Sequence, residues 1–241
     1  MDKILEFTNN HKKEIIKGTI IIVSFWINSE QKNFIKCVEC LYNLRKIYNT
    51  ETIIIVDNQS LNNKWYSIAE DLNMKILYNF SDTHRYEMGA YKLALQHYRA
   101  DNYILIQSSM YALKKIDILL KQHEPDVRPY ALRYCTNNNM CWSNDGKKLV
   151  NNILQKLNLR NWNNDPICLW NGFYCNNLFI NELFKDGLFD IITNTKNISC
   201  AFERILGTYI SIKIKNINPL QNENNGKYFK KEWLRQTLPN I

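Results

Sequence analysis

The sequence is poor in glycine and proline, with 7 and 5 of these residues in 241. This composition excludes collagen-like chains and disordered chains rich in glycine and proline. Neither G-x-G-x-x-G nor G-x-x-x-x-G-K-[ST] occurs, which argues against the standard dinucleotide fingerprint and the Walker phosphate loop. The longest apolar run, Thr19 to Ile27, has nine residues, whereas about 20 are needed to span a membrane.

Charge is not concentrated in any segment either. The 31 Lys and Arg residues exceed the 23 Asp and Glu residues, and the pI is about 9.0, but no block of five like charges occurs. A basic chain favours anionic partners, namely nucleic acid, an anionic membrane or a phosphorylated small molecule. Because the basic residues are scattered, no nucleic-acid partner is expected. The seven cysteines are expected to be mostly reduced and buried, in a cytoplasmic protein.

What the sequence does contain is an alternation of buried-strand and amphipathic-helix patterns over its first 110 residues. Apolar, β-branched runs predict strands at 19–26, 52–56, 74–78 and 103–106, and helical spacing predicts helices at 31–48, 63–72 and 86–98. Such an order predicts an α/β fold with a mainly parallel sheet flanked by helices. Cys37 and Cys40 form a C-x-x-C inside a predicted helix, without a second pair at zinc-ribbon spacing, so no zinc or redox site is expected.

The second half of the chain is less regular. Its pattern predicts strands at 130–134 and 178–180 and helices at 145–158, 181–185 and 199–213. The expected organisation is one domain with an elaborated C-terminal half. Its predicted parts are an N-terminal arm or helix (1–17), an α/β half (18–110), a second half of the same domain (111–218) and a polar C-terminal tail (219–241).

Polar clusters follow three of the predicted strands, at Ser24–Asn28, Asp57–Ser60 and Gln107–Ser109. Ligands of parallel α/β sheets bind outside the carboxyl ends of the strands, so these clusters are candidate binding residues. A carboxylate such as Asp57 can accept a hydrogen bond from a pyrimidine N–H or from ribose hydroxyls. Asp, Asn and Ser are also the residues that favour turns and helix caps, and both interpretations remain open at this point.

The order of these segments resembles that of GT-A-fold glycosyltransferases, which transfer a sugar from a nucleoside diphosphate. The resemblance covers roughly residues 18–212. The stretches that carry it are IIIVSFW, IIIVDNQS, HRYEMGAYK, NYILIQSS, NGFYCNNLFINELFKDGLFD and AFERILGTYI. In the family, the Asp after the second strand contacts the nucleobase. An acidic pair in a late helix supplies the general base.

The resemblance implies a set of site residues. Those implied for the nucleotide sugar are Ser24, Phe25, Asp57, Asn58, Ser60, His84, Arg85, Gln107, Ser108 and Ser109. Those implied for the acceptor or the sugar are Trp170, Asn171, Gly172 and Asp190, in an aromatic and amide-rich stretch that also includes Trp162 and Phe173. Glu203, followed here by Arg204, is the implied general base of an inverting transfer. A surface ion pair with Arg204 or a neighbouring Lys is the alternative role for Glu203.

One departure from the family concerns the metal. The family carries an Asp-containing motif after the fourth strand, which holds Mn²⁺ or Mg²⁺ on the diphosphate, and here the matching residues are Gln107, Ser108 and Ser109. Neutral side chains are poor ligands for hard cations, so no metal site is assigned. Three alternatives are open: a metal-independent enzyme using His84, Arg85 and Lys92, a metal held by other carboxylates, or a protein that only binds. The other carboxylates considered are Asp82, Asp101 and Asp117.

The function that the sequence predicts is therefore an inverting hexosyl- or rhamnosyltransferase that uses a nucleoside-diphosphate sugar, with UDP as the family's default, and a glycan acceptor. A catalytically degenerate nucleotide-sugar or glycan-binding module is the alternative from a different class. A basic nucleic-acid-binding protein ranks last. Asn makes up about 14% of the chain, a bias typical of AT-rich coding genomes such as those of large DNA viruses, and a viral protein would act in the host cytoplasm.

Overall fold

The computed structural model describes residues 13–28, 30–116, 130–131, 134–135, 144–163, 165, 167–168, 171–213 and 229–231. The strands are β1 (Glu14–Phe25), β2 (Thr52–Asp57), β3 (Lys75–Tyr78), β4 (Tyr98–Gln107), β5 (Met110–Ala112), β6 (Tyr130–Ala131), β7 (Tyr134–Cys135), β8 (Ile167–Cys168), β9 (Phe173–Asn176) and β10 (Phe229–Lys231). The α-helices are α1 (Gln31–Ile47), α2 (Trp65–Asp71), α3 (Tyr86–His97), α4 (Asn144–Lys156), α5 (Asn177–Lys185) and α6 (Lys196–Lys213). A 3₁₀-helix covers Leu188–Asp190.

The main sheet has six strands in the order β3-β2-β1-β4-β9-β6. Strands β1 to β4 are parallel, whereas β9 is antiparallel to both β4 and β6. The predicted α/β class with a mainly parallel sheet is thereby confirmed. Strands β2 and β3 are added on one side of β1, and β4 is added on the other side. The direction in which the sheet grows therefore reverses at β1.

Alternation along the strands creates two cores, one on each face of the sheet. Ile20 and Ile22 pack with residues of α3, α4, α5 and α6 on one face. Ile21 and Val23 pack with residues of α1 and α2 on the other. Because both faces are covered, the central strands are apolar at nearly every position, as the TIIIV runs of β1 and β2 show.

The two predicted halves share one sheet and one core. Strand β9, from the second half, pairs with β4 over Asn102↔Asn176 to Leu105↔Phe173, and Phe173 lies in the same apolar cluster as Leu105. This arrangement agrees with the expectation of a single domain. The exact limits proposed for the four parts of the chain remain a prediction.

The structure differs from the predicted elements at both ends of the chain. β1 begins at Glu14, so residues 14–17 belong to a strand rather than to a leader arm or helix. Gly18, at φ +85°, lies at a break in the β1–β4 register, which explains why the apolar run begins only after it. In the predicted polar tail, residues 229–231 form β10, which pairs with β5, and the Phe229 side chain is fully buried.

Residues 178–180, predicted as a strand, lie in helix α5. The strand comes earlier, as β9. The N-cap residue Asn176 accepts a hydrogen bond from the backbone N–H of Phe179 at 3.0 Å, which starts the helix immediately after the strand. A short apolar run such as Leu178–Ile180 has no period that distinguishes strand from helix. The expected strand over 130–134 is only partly described, as β6 and β7.

Candidate active site at the carboxyl edge of the sheet

The carboxyl ends of β1 and β4 lie side by side at the reversal of the strand order. Ser24 of β1 is the register partner of Gln107 of β4, and the backbone N–H of Ser108 donates to the carbonyl of Ser24 at 2.9 Å. Open α/β sheets bind ligands at this topological switch point. The polar clusters predicted from the sequence therefore meet at the expected edge of the sheet.

Asp57 ends the neighbouring strand β2 and is 3% exposed. Its carboxylate accepts hydrogen bonds from the backbone N–H of Ser60 at 3.0 Å and from the Tyr66 hydroxyl at 2.6 Å. Burial, and then the bond to Asp57, raise the pKa of Tyr66. Asp57 thus has the turn-forming role that its residue type favours. A carboxylate has about four lone-pair sites, so these two bonds leave acceptor capacity.

A chain of amide side chains runs along this edge away from Asp57. Asn58 donates to the Ser24 hydroxyl at 3.0 Å and accepts from the Asn79 amide at 2.8 Å. The second N–H of Asn79 donates to the backbone carbonyl of His84 at 2.8 Å. Ser60 takes part locally, because its hydroxyl accepts from the backbone N–H of Ile27 at 2.8 Å. These bonds fix the loops after β1, β2 and β3 relative to one another.

The loop before α3 is held tightly and carries backbone strain. Tyr86, the first residue of α3, has φ +58°, in the left-handed region that bulky residues avoid. A Cβ on Gly89 would lie 2.1 Å from the His84 carbonyl oxygen, so only glycine fits there. Thr193 binds the loop from the other side, since its hydroxyl donates to the Arg85 carbonyl at 2.9 Å. Strain of this kind concentrates at functional sites.

Glu87, in the first turn of α3, joins three elements at the edge. Its carboxylate accepts one bond from the Gln107 side-chain amide and one from the Ser199 hydroxyl, both at 2.5 Å. Asn171 supports the same place, because its amide donates to the Ser199 carbonyl at 3.1 Å. Glu87 is 7% exposed. The end of β4, the start of α3 and the N-terminal part of α6 therefore meet around one buried carboxylate.

The more open side of the N-terminal half of α6 carries Lys196, Cys200 and Glu203, at helical spacing i, i+4 and i+7. Burial raises the pKa of the half-buried Cys200 thiol, and the charges of Lys196, Glu203 and Glu87 also act on it. The Lys196 ammonium lies 5.6 Å from the ring centroid of Tyr86. The predicted base is therefore partly exposed and belongs to the same group of side chains as Glu87.

The residues predicted for the acceptor side separate into distinct environments. Asn171 is 1% exposed, has φ +51° and keeps its side-chain oxygen buried without a hydrogen-bond partner. Gly172 packs against Met110, and Asp190 is largely exposed. Trp170 lies outside the described residues.

Several predicted binding side chains have structural roles instead. Phe25 is fully buried and packs on Trp65 at 4.2 Å between ring centroids, so only its backbone faces the edge. Phe173 is likewise in the core. Trp162 donates through its indole N–H to the Asp165 carbonyl at 3.2 Å. Ser109 lies in the turn after β4, between Ser108 and β5, and is half-buried.

The predicted phosphate-binding cations are engaged with acidic partners. Arg85 forms an ion pair with Asp82. The Lys92 ammonium lies 3.4 Å from the Asp190 carboxylate and 3.3 Å from Nε2 of His84. Burial, and then the charge of Lys92, lower the pKa of His84, so its imidazole is neutral near pH 7.

The end of β4 does not fit a divalent cation in the part of the chain that the structure describes. Ser108 is 9% exposed, and its hydroxyl lies 3.6 Å from the Cys37 thiol on the α1 side. The Glu87 carboxylate is 7% exposed and is engaged with Gln107 and Ser199. Asp101 lies at the opposite end of β4, where it binds the N–H of Gly18 at 2.8 Å. No group of three His, Cys, Asp or Glu side chains among the described residues is arranged to hold a metal. Asp117 lies outside these residues.

Sequence reasoning missed Glu87, Ser199, Tyr66 and Lys196. Ser199 and Lys196 lie four and seven residues before Glu203 on one helix, so the helical period around the predicted base was the signal that could have found them. No local pattern distinguishes Glu87 from an exposed first-turn glutamate, because its burial depends on α6, more than 100 residues later. The cysteines of the predicted helix, Cys37 and Cys40, are buried and free.

Comparisons with known proteins give fold-level likenesses only. No known family and no curated protein sequence matches the chain. Among solved structures, the mannosyltransferase PcManGT from Pyrobaculum calidifontis, in complex with GDP-Man and Mn²⁺, is 14% identical with a TM-score of 0.43, covering 68% of this chain and 46% of that one. Glucosyl-3-phosphoglycerate synthase from Mycobacterium tuberculosis, in complex with Mn²⁺ and UDP-glucose, is 9% identical with a TM-score of 0.39 and coverages of 73% and 67%. Core-mannan synthase A from Aspergillus fumigatus, in an Mn/GDP form, is 8% identical with a TM-score of 0.37 and coverages of 84% and 73%. This chain thus spans less than half the length of the first of these proteins.

No described helix has the length and apolar character that crossing a bilayer requires.

Proposed function

We propose that the chain is a glycosyltransferase that moves a sugar from a nucleoside-diphosphate sugar to a hydroxyl of a glycan acceptor. One observation carries the proposal: the hydrogen bonds Gln107–Glu87–Ser199 bring α6 to the carboxyl edge of the sheet. Asp57 and Gln107 end strands that are separated only by β1, two strand spacings or roughly 10 Å apart. Asp57, bonded to Tyr66 of α2, and α6 approach this edge from opposite faces of the sheet, and we propose that the donor and the acceptor bind across the edge between them.

The nucleoside is proposed to bind at the ends of β1 and β2. Asp57 has acceptor capacity left for a base N–H or a ribose hydroxyl. Trp26, the residue after β1, is 48% exposed and follows Phe25, the register partner of Asp57. An exposed aromatic face at this edge would suit a planar base. UDP is the donor nucleotide that we propose first, because it is the default of the family that the chain resembles; no residue that the structure describes selects it.

Glu203 is the proposed general base. In an inverting transfer, the acceptor hydroxyl gives its proton to the carboxylate as its oxygen forms a bond to the anomeric carbon. The bond between that carbon and the diphosphate oxygen breaks, and the leaving diphosphate keeps the electron pair. Glu203 is partly exposed, and we propose that an acceptor hydroxyl reaches its carboxylate from the open side of α6.

The charge that develops on the diphosphate needs electrostatic stabilisation. Lys196 lies on the same open side of α6 as Glu203 and next to Tyr86 at the start of α3. Lys92 supplies a second cation near the same loop, where the neutral His84 imidazole lies 3.3 Å from its ammonium. Because the described end of β4 does not suit a divalent cation, we propose that these side chains carry the leaving-group charge.

Isothermal titration of the full chain with UDP, GDP, CDP and ADP, in EDTA and in Mn²⁺, tests nucleotide binding. Release of nucleoside diphosphate from UDP-glucose, UDP-rhamnose and GDP-mannose, with glycan acceptors present, tests transfer. Binding of one nucleotide, together with turnover of its sugar in EDTA, supports the proposal in full. Absence of both binding and turnover under all conditions contradicts it.

A binding module on the same fold is the second candidate. Ser108 stands where the family carries a metal-binding Asp, and its hydroxyl faces Cys37 rather than an open site. A protein without the metal-binding carboxylate at this position would bind a nucleotide sugar or a glycan. It would not break the bond between the sugar and the diphosphate. Nucleotide binding without release of sugar from any donor, with or without Mn²⁺, would favour this candidate.

A further inference from the structure

Glu87 is a carboxylate that the fold buries at a specific junction. It accepts hydrogen bonds from Gln107 at the end of β4 and from Ser199 on α6. These partners lie 20 and 112 residues away in sequence. The two bonds therefore add a polar connection between β4, α3 and α6 to the apolar packing of α3 and α6 in the core.

The two partners of Glu87 are both neutral. Among the described residues, no ion pair includes Glu87. The fully buried Tyr91 hydroxyl, one turn later on α3, has no hydrogen-bond partner. Burial, and then the charge of Glu87, raise the pKa of Tyr91. A carboxylate removed from water is costly unless its oxygens are hydrogen-bonded. A neutral glutamine could form both bonds at a lower cost of burial, but those bonds would be weaker than the ones that a carboxylate accepts.

Ser199 links Glu87 to the proposed base. Ser199 and Glu203 are four residues apart on α6 and therefore lie on the same side of the helix. Asn171 holds the backbone of the same turn through the Ser199 carbonyl. Two side chains from outside the helix thus contact this turn of α6 through Ser199, in addition to the core packing of Ala201 and Phe202.

We propose that Glu87 is a positioning residue that holds α6 against the end of β4 and so places Glu203 at the donor-binding edge; the catalytic part of this inference rests on the proposed function. Glu87 does not itself contact the reacting atoms. Its charge strengthens the bonds from Gln107 and Ser199, since hydrogen bonds to an ionised acceptor are stronger than neutral ones.

Hydrogen exchange of the full chain, measured by mass spectrometry for peptides covering residues 196–203, tests the structural part. Glu87→Ala removes both bonds, and Ser199→Ala removes one bond while leaving the carboxylate in place. We expect exchange about tenfold faster in both variants, which corresponds to about 1.4 kcal/mol. Asp145→Ala, at an exposed position of α4, is the control and should match wild type. If residues 196–203 of Ser199→Ala exchange at the wild-type rate, the proposal is overturned. This test does not depend on whether Glu87→Ala folds.

Kinetics of UDP-glucose and GDP-mannose turnover test the positioning part. In Ser199→Ala and Glu87→Ala we expect kcat to fall at least tenfold with the Kd for the free nucleoside diphosphate within threefold of wild type. Glu87→Gln should recover part of kcat, because glutamine can accept from Gln107 and donate to the Ser199 oxygen. Adding Glu87→Ala to Glu203→Gln should lower kcat no further than Glu203→Gln does alone. An unchanged kcat in both single variants overturns the positioning role.

The two proposals fail in different ways. A wild-type protein that neither binds nor turns over any nucleotide sugar contradicts the proposed function. The exchange rates of residues 196–203 still decide in that case whether Glu87 holds α6. An active wild-type protein whose exchange and kcat do not respond to Ser199→Ala retains the proposed function and contradicts the role of Glu87.

Discussion

Ser24 and Gln107 are register partners in adjacent parallel strands, at the point where the order of the sheet reverses. Gln107 is bonded to Glu87, and Glu87 to Ser199 of α6. The same edge therefore carries polar groups from the first and the second half of the chain. This relationship makes the following expectations specific.

Glu203→Gln removes the proposed base without changing the size of the side chain. We expect kcat for sugar transfer to fall by about 10²–10⁴, the usual contribution of general acid–base catalysis, because glutamine cannot take the acceptor proton. The Kd for the nucleotide should change by less than threefold in titration calorimetry. Asp145→Asn, on exposed α4, is the control. Wild-type turnover in Glu203→Gln would remove Glu203 from the mechanism.

Asp57 and Tyr66 separate a binding role from a structural one. Tyr66→Phe removes the hydroxyl that donates to Asp57 and should lower the free energy of unfolding by roughly 1–2 kcal/mol, measured in urea. Asp57→Asn removes the charge and should weaken nucleotide binding about tenfold, or about 1.4 kcal/mol, whereas Tyr66→Phe should leave it within threefold. Equal effects of the two substitutions on nucleotide affinity would show that Asp57 acts only through the fold.

Gly89 and Gly172 offer a matched pair of alanine substitutions. At Gly89 the new Cβ would meet the backbone oxygen of His84 at 2.1 Å, whereas at Gly172 it would meet the flexible Met110 side chain at 3.0 Å. We expect Gly89→Ala to lower the free energy of unfolding by about 3 kcal/mol, although helix propensity alone favours alanine by about 1 kcal/mol. Gly172→Ala should cost about 1 kcal/mol or less, since methionine adapts. Comparable urea midpoints for both variants would contradict the described loop.

His84 should titrate below its ordinary value. Burial and Lys92 lower its pKa, and Asp190 opposes them, so the folded protein binds fewer protons than the unfolded chain between the lowered pKa and about 6.5. The contribution of His84 to stability is therefore complete above about pH 6.5 and is lost as the pH falls toward the folded pKa. NMR titration of the His84 ring gives the pKa directly, and Lys92→Met should raise it. A wild-type value at or above 6.5 would contradict the geometry.

The described cysteines should differ in reactivity. Burial raises the pKa of Cys37 to about 11 and also raises that of Cys40, whereas Cys200 is only half-buried. In native protein at pH 8, N-ethylmaleimide should modify Cys200 at least about tenfold faster than Cys37 or Cys40, because the thiolate is the reactive form. Peptide mass spectrometry measures the rates, with urea-unfolded protein as the reference. Rapid labelling of Cys37 would contradict its placement in the core.

Patterns with a clear period predicted the fold correctly. The TIIIV runs identified β1 and β2 because they are short and β-branched. The helical spacing of Phe34, Val38 and Leu41 identified α1. Strand β4 begins at Tyr98, five residues before its predicted start. Its first residues include Arg99 and Asp101, whose charges concealed the strand.

The candidate site was predictable only in part. Ser24, Asp57 and Gln107 follow strands, and parallel topology alone brings such residues to one edge. The burial of Glu87 and the turn of Ser108 toward Cys37 depend on tertiary contacts with distant elements, which no local pattern contains. Phe25 is the opposite case, a residue that was predicted as a ligand contact but is buried. Its position at the end of a strand suggested the contact, whereas the alternation of β1 directs its side chain into the core.

Helix α6 serves the core and the open edge at once. Leu206, Tyr209 and their neighbours are buried in the apolar cluster, whereas Lys196, Cys200 and Glu203 follow one more open side of its N-terminal half. Substitutions at 196 and 200, on either side of the serine that faces Glu87, would thus change the open side of the helix and leave its buried side intact. A library randomised at these two positions would separate effects on the proposed activity from effects on stability.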